Sequence, residues 1–202
     1  MYQNDACKVL TGEVRLSYAH LSEPYANPAQ PNAKPKYSVT LLIPKTDLVT
    51  KADIDASIAA AAKDAVSKTW GGVRPPNMKI PVWDGDGVRQ SGLPFGDECK
   101  GCWVLTASNL NKPQVVDQSN IRSELAPQDI YSGMYARVTI RFFGYSNSGS
   151  KGVGCGLGNV MKTRDGEPLS GMSSAASDFA GVGQDITAQM GGQINPITGM
   201  PM

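Results

Sequence analysis

The sequence predicts a mainly β domain with one inserted helix, closed into a small barrel, with a β-sandwich as the rival. Three observations lead there. Several segments alternate apolar and polar residues with period 2, the pattern of half-buried strands. One segment, and only one, carries helical spacing over about twenty residues. Glycine falls inside the strands rather than only between them, as strongly bent strands require.

Residues 8–19 are the first strand expected. Leu10, Gly12, Val14, Leu16 and Tyr18 would share one face, with a bend at Gly12. Pro24, Pro28, Pro31 and Pro35 make residues 23–35 a loop. Tyr37 to Ile43 is the second strand, flanked by Lys34, Lys36 and Lys45 and closed by Pro44. Thr50 to Trp70 is the helix. Thr50 and Asp53 resemble a capping box, Ile54, Ile58, Ala61, Ala62, Ala65 and Val66 form its apolar stripe, and Gly71-Gly72 stops it. Residues 71–98 are rich in turn residues and read as a hinge, lid or binding loop. Gly101 to Ser108 is a third strand, with a short one at Val115-Val116.

Tyr131 to Tyr145 is the most informative strand. From Tyr135 on, Ala136, Val138, Ile140 and Phe142 form an apolar face that belongs in a core. Tyr135, Arg137, Thr139, Arg141, Phe143 and Tyr145 form the other. Rings alternating with guanidinium groups suit single-stranded nucleic acid, where cations track phosphates and rings receive bases. They equally suit rings packed under another element with arginines reaching solvent. The strand alone leaves both open. Ser146 to Ser150 is a turn, and the return strand, Lys151 to Val160, places Gly152, Gly154, Gly156 and Gly158 on one face. A face of glycines means that a strand or a ligand approaches that backbone closely. These twisted strands with one inserted helix fit a closed barrel of the oligonucleotide-binding (OB) type.

Composition narrows the function. The chain has 202 residues, 41% hydrophobic and 18% charged, which fits a folded domain. No apolar run approaches a membrane span. The N-terminal residues lack the pattern of a signal peptide, so a cytosolic protein with reduced cysteines is expected. All 19 Lys and Arg lie at or before Arg164; Asp165, Glu167, Asp178 and Asp185 follow with no base among them. A mildly basic body with an acidic end suits a binder of polyanions. The expected organisation is a domain over 1–180 and a flexible tail over 181–202.

Catalytic and metal readings are weak. Cys99-Lys100-Gly101-Cys102 has no second pair to complete a zinc site, and it runs into a strand instead of opening a helix. Cys7 and Cys155 are expected inside strands. Asp84-Gly85-Asp86-Gly87 reads more simply as a turn than as a nuclease metal site, and calcium-loop spacing fails. The glycines at 152–158 do not form a phosphate loop. His20, the lone histidine, has no nucleophile pattern around it. Neither a catalytic residue, a metal nor a cofactor is expected.

The chain resembles the bacteriophage single-stranded-DNA-binding proteins of OB-fold type, a family first catalogued as a domain of unknown function. The resemblance rests on Gly12-Glu-Val-Arg-Leu-Ser-Tyr-Ala, Pro35-Lys-Tyr-Ser-Val-Thr-Leu-Leu-Ile-Pro-Lys-Thr-Asp, Trp70-Gly-Gly, Asp84-Gly-Asp and Tyr131-Ser-Gly-Met-Tyr-Ala-Arg-Val. It continues through Lys151-Gly-Val and Gly156-Leu-Gly-Asn-Val-Met-Lys. These pieces run in order from about residue 8 to residue 180. The resemblance implies a non-catalytic protein that coats single-stranded DNA in phage replication and recombination, in the cytoplasm of the bacterial host. It also implies homodimers and contacts between an acidic tail and replication proteins. This chain departs there, since its end is rich in Gly and Met with only Asp178 and Asp185.

On this reading Arg137, Arg141, Lys36 and Lys151 neutralise phosphates, and Tyr135, Phe143 and Tyr145 stack bases with weak sequence preference. Trp103, beside Lys100 and Lys112, is a further candidate platform. The alternatives are a phage structural or adaptor protein whose rings mark a protein interface, and an enzyme using the carboxylates between Asp84 and Glu98.

Overall fold

Nine strands and one long helix make up the fold, in a computed structural model that describes residues 2–28, 32–147 and 149–169. The chain divides after residue 170, and all of these elements lie in the unit before that point. The expected boundary near residue 180 and the tail 181–202 lie outside the described residues.

In chain order the elements are β1 (Lys8–Leu10), β2 (Val14–Tyr25), β3 (Lys36–Pro44), α1 (Leu48–Lys68), β4 (Val82–Asp84), β5 (Cys102–Asn109), β6 (Val115–Asp117), β7 (Asn120–Glu124), β8 (Tyr135–Asn147) and β9 (Ser150–Arg164). All nine strands belong to one sheet, so two separate stacked sheets are not what the pairings form. Antiparallel pairs join β8 to β2, β2 to β3 and β3 to β5. A parallel pair, Ser108 with Gly156, joins β5 to β9, and the β8–β9 hairpin completes a ring of five strands. The β5–β9 seam is narrow. Beside it, residues 79–84 form a strap, with β4 pairing to β5 and Lys79 bridging to Gly152.

The ring encloses the core. Leu16, Val39, Leu41, Leu105, Ala136, Val138, Ile140, Phe142 and Leu157 are all buried in it. Burying a Leu, Ile, Val or Phe side chain contributes about 1.5–3 kcal/mol. The β8 alternation is as expected: Ala136, Val138, Ile140 and Phe142 point in, while Arg137, Arg141 and Phe143 are exposed. Helix α1 lays Ile54, Ile58, Ala61, Ala62 and Ala65 on the inner side. It comes so close to β8 that a Cβ at Gly144 would collide with the Ala65 methyl.

Several local expectations change. The segment 8–19 is two strands, because the chain turns at Thr11 to Glu13. The faces are offset across that break: Val9 is buried in β1, whereas Val14 and Leu16 are buried in β2. Strand β2 runs on through Pro24 to Tyr25, which pairs with Lys36. The helix starts earlier than Thr50. Asp47 is its N-cap and accepts from the Thr50 backbone N–H at 3.0 Å. The Thr50 hydroxyl instead accepts from the Gly12 N–H at 2.7 Å and ties the helix to the β1–β2 break. Cys7 precedes β1 in a turn, and β7 carries no apolar alternation, which is why the sequence did not announce it.

Candidate nucleic-acid interface

The outer face of β8 divides into parts with different surroundings. At its far end, Phe143 and Tyr145 border a groove of about 510 Å³. The strap forms one wall with Ile80 and Trp83, β5 contributes Thr106 and Ser108, and β9 contributes Gly154. Phe143 is 46% exposed and Trp83 39% exposed. The glycine face of β9 is explained here: the Phe143 ring lies over Gly154 and Gly156, and the Tyr145 hydroxyl and Lys79 backbone lie over Gly152. Thr139 lies over Gly158, so the close neighbours are rings, backbone and a hydroxyl of this same chain.

Elsewhere on this face, Tyr135 and Arg141 already have partners. The Arg164 guanidinium sits 3.4 Å from the centre of the Tyr135 ring, and Arg164 is held by Glu13 at 3.0 Å. The Arg141 Nε donates to Asp5 at 2.8 Å. That bond, with the Cys7 N–H, holds the Asp5 carboxyl below the usual carboxylate range. The Arg137 side chain is exposed and makes no hydrogen bond or ion pair among the described residues, although its charge lies near enough to help lower the Glu13 carboxyl. Lys36 is exposed at the start of β3. Lys151 is half-buried, its Nζ 3.4 Å from the Trp70 carbonyl.

Trp103 lies apart from the groove. It shares the inward-pointing parity of Leu105 and Ala107, with Lys45 and Lys51 at 5.0 and 4.8 Å from its ring centre. Its cationic neighbours are those two lysines and not Lys100 or Lys112.

The sequence reading missed three aromatic residues: Trp83 in the groove wall, and Tyr18 and Phe95 in a neighbouring cavity. Trp83 and Thr106 border both the main groove and a second cavity, which also receives Tyr18, Phe95 and Arg89. Trp83 sits in the strap, and the Pro81-Val82-Trp83 run is its only signal. Simple alternation assigns Tyr18 to the core face. A bulge between Ser17 and His20 reverses it, with Tyr18 at φ +47° and 60% exposed. That backbone region is rare for a bulky residue.

Acidic side chains near the strap serve its placement. Lys45 Nζ donates to Asp84 at 2.6 Å and to Asp86 at 2.7 Å. Asp86 also accepts from the Gly101 N–H. The lysine, with the Asp86 N–H on Asp84 and the Gly101 N–H on Asp86, holds both carboxyls below the usual range. No group of three or more metal-ligating side chains occurs among the described residues. Burial pushes the Cys99 thiol up to about 11 and raises Cys7, Cys102 and Cys155, away from the lowered range of reactive cysteines. No helix of the described residues is long and apolar enough to cross a membrane.

Comparison with known proteins places the chain in a lineage. A family model described as the Enterobacter phage Enc34 ssDNA-binding protein matches residues 7–190. Protein p50 of Acyrthosiphon pisum secondary endosymbiont phage 1 is 32% identical over 176 residues, covering 81% of this chain and 87% of that protein. The solved structure of the single-stranded DNA-binding protein from bacteriophage Enc34 in complex with ssDNA is similar at TM-score 0.68. It is 31% identical, and the match covers 82% of this chain and 90% of that one. Bacteriophage T7 gp2.5, a single-stranded DNA binding protein, shares the fold at TM-score 0.57 and 16% identity, over 86% of this chain and 99% of that one. The chain belongs to the family of the phage Enc34 single-stranded-DNA-binding protein.

Proposed function

We propose that this protein binds single-stranded DNA without catalysing a reaction on it, coating the strand in phage DNA replication and recombination in the host cytoplasm. The observation that carries this reading is the groove in which Trp83, Phe143 and Tyr145 stand beside the glycine-lined backbone of β9. Exposed rings along a channel give unstacked bases a surface, and every base has a π-face to offer. The ssDNA complex of the Enc34 relative supports the same ligand.

On this reading Phe143, Tyr145 and Trp83 stack bases, and Arg137, Lys36 and Lys151 contact phosphates. Arg141, Tyr135 and Trp103 join from the margins, each through whatever surface its intramolecular partner leaves. The five-strand ring is a closed barrel of OB type, with the strap covering the β5–β9 seam. Residues 1–180 form the DNA-binding domain and 181–202 a flexible tail. A second copy of the chain and phage replication proteins are its protein partners.

Filter binding with labelled oligonucleotides at moderate salt tests the reading. Single strands should be retained at lower protein concentration than the matching duplex, and remain intact with added Mg²⁺. Equal retention of duplex, or cleavage of the strand, would overturn it.

A further inference from the structure

We propose that the second cavity is a base-selective position that receives a guanine from the bound strand; the inference rests on the DNA-binding reading above. The cavity measures about 240 Å³, and its floor is a row of hydroxyls. Ser17 pairs in register with Thr40, and Thr40 with Thr106, so the three stand side by side across β2, β3 and β5. The hydroxyls of Thr40 and Thr106 share a hydrogen bond of 3.0 Å. Ser17 lines the cavity and is only 4% exposed; since no buried side-chain N or O among the described residues lacks a partner, its unbonded hydroxyl opens onto the cavity itself. A hydroxyl that opens onto a cavity without a protein partner can exchange water for a ligand that bonds it. Tyr18 and Trp83 supply flanking rings.

Glu98 supplies the selective element. It lines the cavity half-buried, with no ion-pair partner among the described residues. Its Oε1 accepts only a long contact, 3.7 Å, from the Cys99 thiol. The carboxylate folds back over Gly96, where any Cβ would collide with it. A carboxylate thus stands on the cavity wall, which Arg89 also lines, beside the groove proposed for a polyanion, where the carboxylate repels phosphate. What a carboxylate can hold there is the donor edge of a base, because it only accepts.

Guanine offers two adjacent donors, its ring N1–H and its amino group, matched to two carboxylate oxygens. Its O6 and N7 remain to accept from the hydroxyl row. Thymine offers one N–H between two carbonyls, which the carboxylate repels. Adenine and cytosine each offer one amino group beside an accepting ring nitrogen.

The test compares a thymine 12-mer with the same strand carrying one central guanine, by fluorescence anisotropy on the full chain. The guanine strand should bind about tenfold tighter. Replacing that guanine by hypoxanthine, which lacks the amino group, should remove most of the gain. Glu98→Gln should remove it too, with the thymine strand bound at least as tightly as before, since a charge that repels phosphate is gone. Equal affinity for the two strands, or a guanine preference that survives both hypoxanthine and Glu98→Gln, would overturn the proposal while leaving DNA binding intact. Failure of the thymine strand to bind at all would overturn the DNA-binding reading and this proposal together.

Discussion

The Phe143 ring rests on Gly154 across the β8–β9 hairpin so closely that a Cβ at Gly154 would lie 2.9 Å from its Cζ. The ring is half exposed and is free to tilt, so Gly154→Ala should cost little stability, within about 1 kcal/mol for a surface site. It should nonetheless move the ring off the groove and weaken single-strand binding. Paired melting and binding curves check this. Normal affinity with a low melting temperature would mean that Gly154 serves packing alone.

The strap's position depends on Lys45 and its two aspartates. Lys45→Met should leave the core intact and weaken single-strand binding, because Trp83 is adjacent to Asp84 in β4. The pH dependence has a defined sign. Asp84 and Asp86 titrate below their ordinary 3.8 in the folded protein, so the contribution of the clip is fully present above that value. It is lost as pH falls through the depressed values. Tryptophan fluorescence should therefore change in that acid window, and the change should be absent in Trp83→Phe.

Arg137 and Arg141 should separate in salt titrations. Arg137→Ala should make the slope of log affinity against log salt shallower by about 0.7, one phosphate contact on a single strand. Arg141→Ala should change it less, since Asp5 already neutralises that guanidinium at 2.8 Å. The double variant Asp5→Asn/Arg141→Ala should melt close to the single Arg141→Ala variant, which differential scanning calorimetry measures.

Much of the fold was legible in the sequence where one period ran unbroken. The β8 pattern separates Val138 and Ile140 from Arg137 and Phe143 because nothing interrupts its alternation. Truncating the buried Ile140 to Ala should accordingly cost about 2–5 kcal/mol of stability. Legibility fails where a local irregularity resets the count. The bulge at Tyr18 turns an expected core residue into a cavity wall, and the break at Gly12 offsets the faces of β1 and β2. It fails also where a distant residue decides. Tyr135 belongs to the outer face as read, but Arg164, across the hairpin, occupies its ring. Trp83 was hidden because the strap gains its place from Lys45 and Lys79, not from any pattern of its own.

Phe143→Ala tests most directly whether the groove's rings are base platforms. Melting temperature and single-strand affinity should be measured on the same preparation at two salt concentrations. The expected result is near-normal melting, a loss of about 1–3 kcal/mol in binding, and an unchanged salt slope, since stacking is lost and no phosphate contact is. A variant that melts early yet binds normally per folded molecule would contradict the base-platform role, and would make Phe143 a packing residue over the glycines of β9.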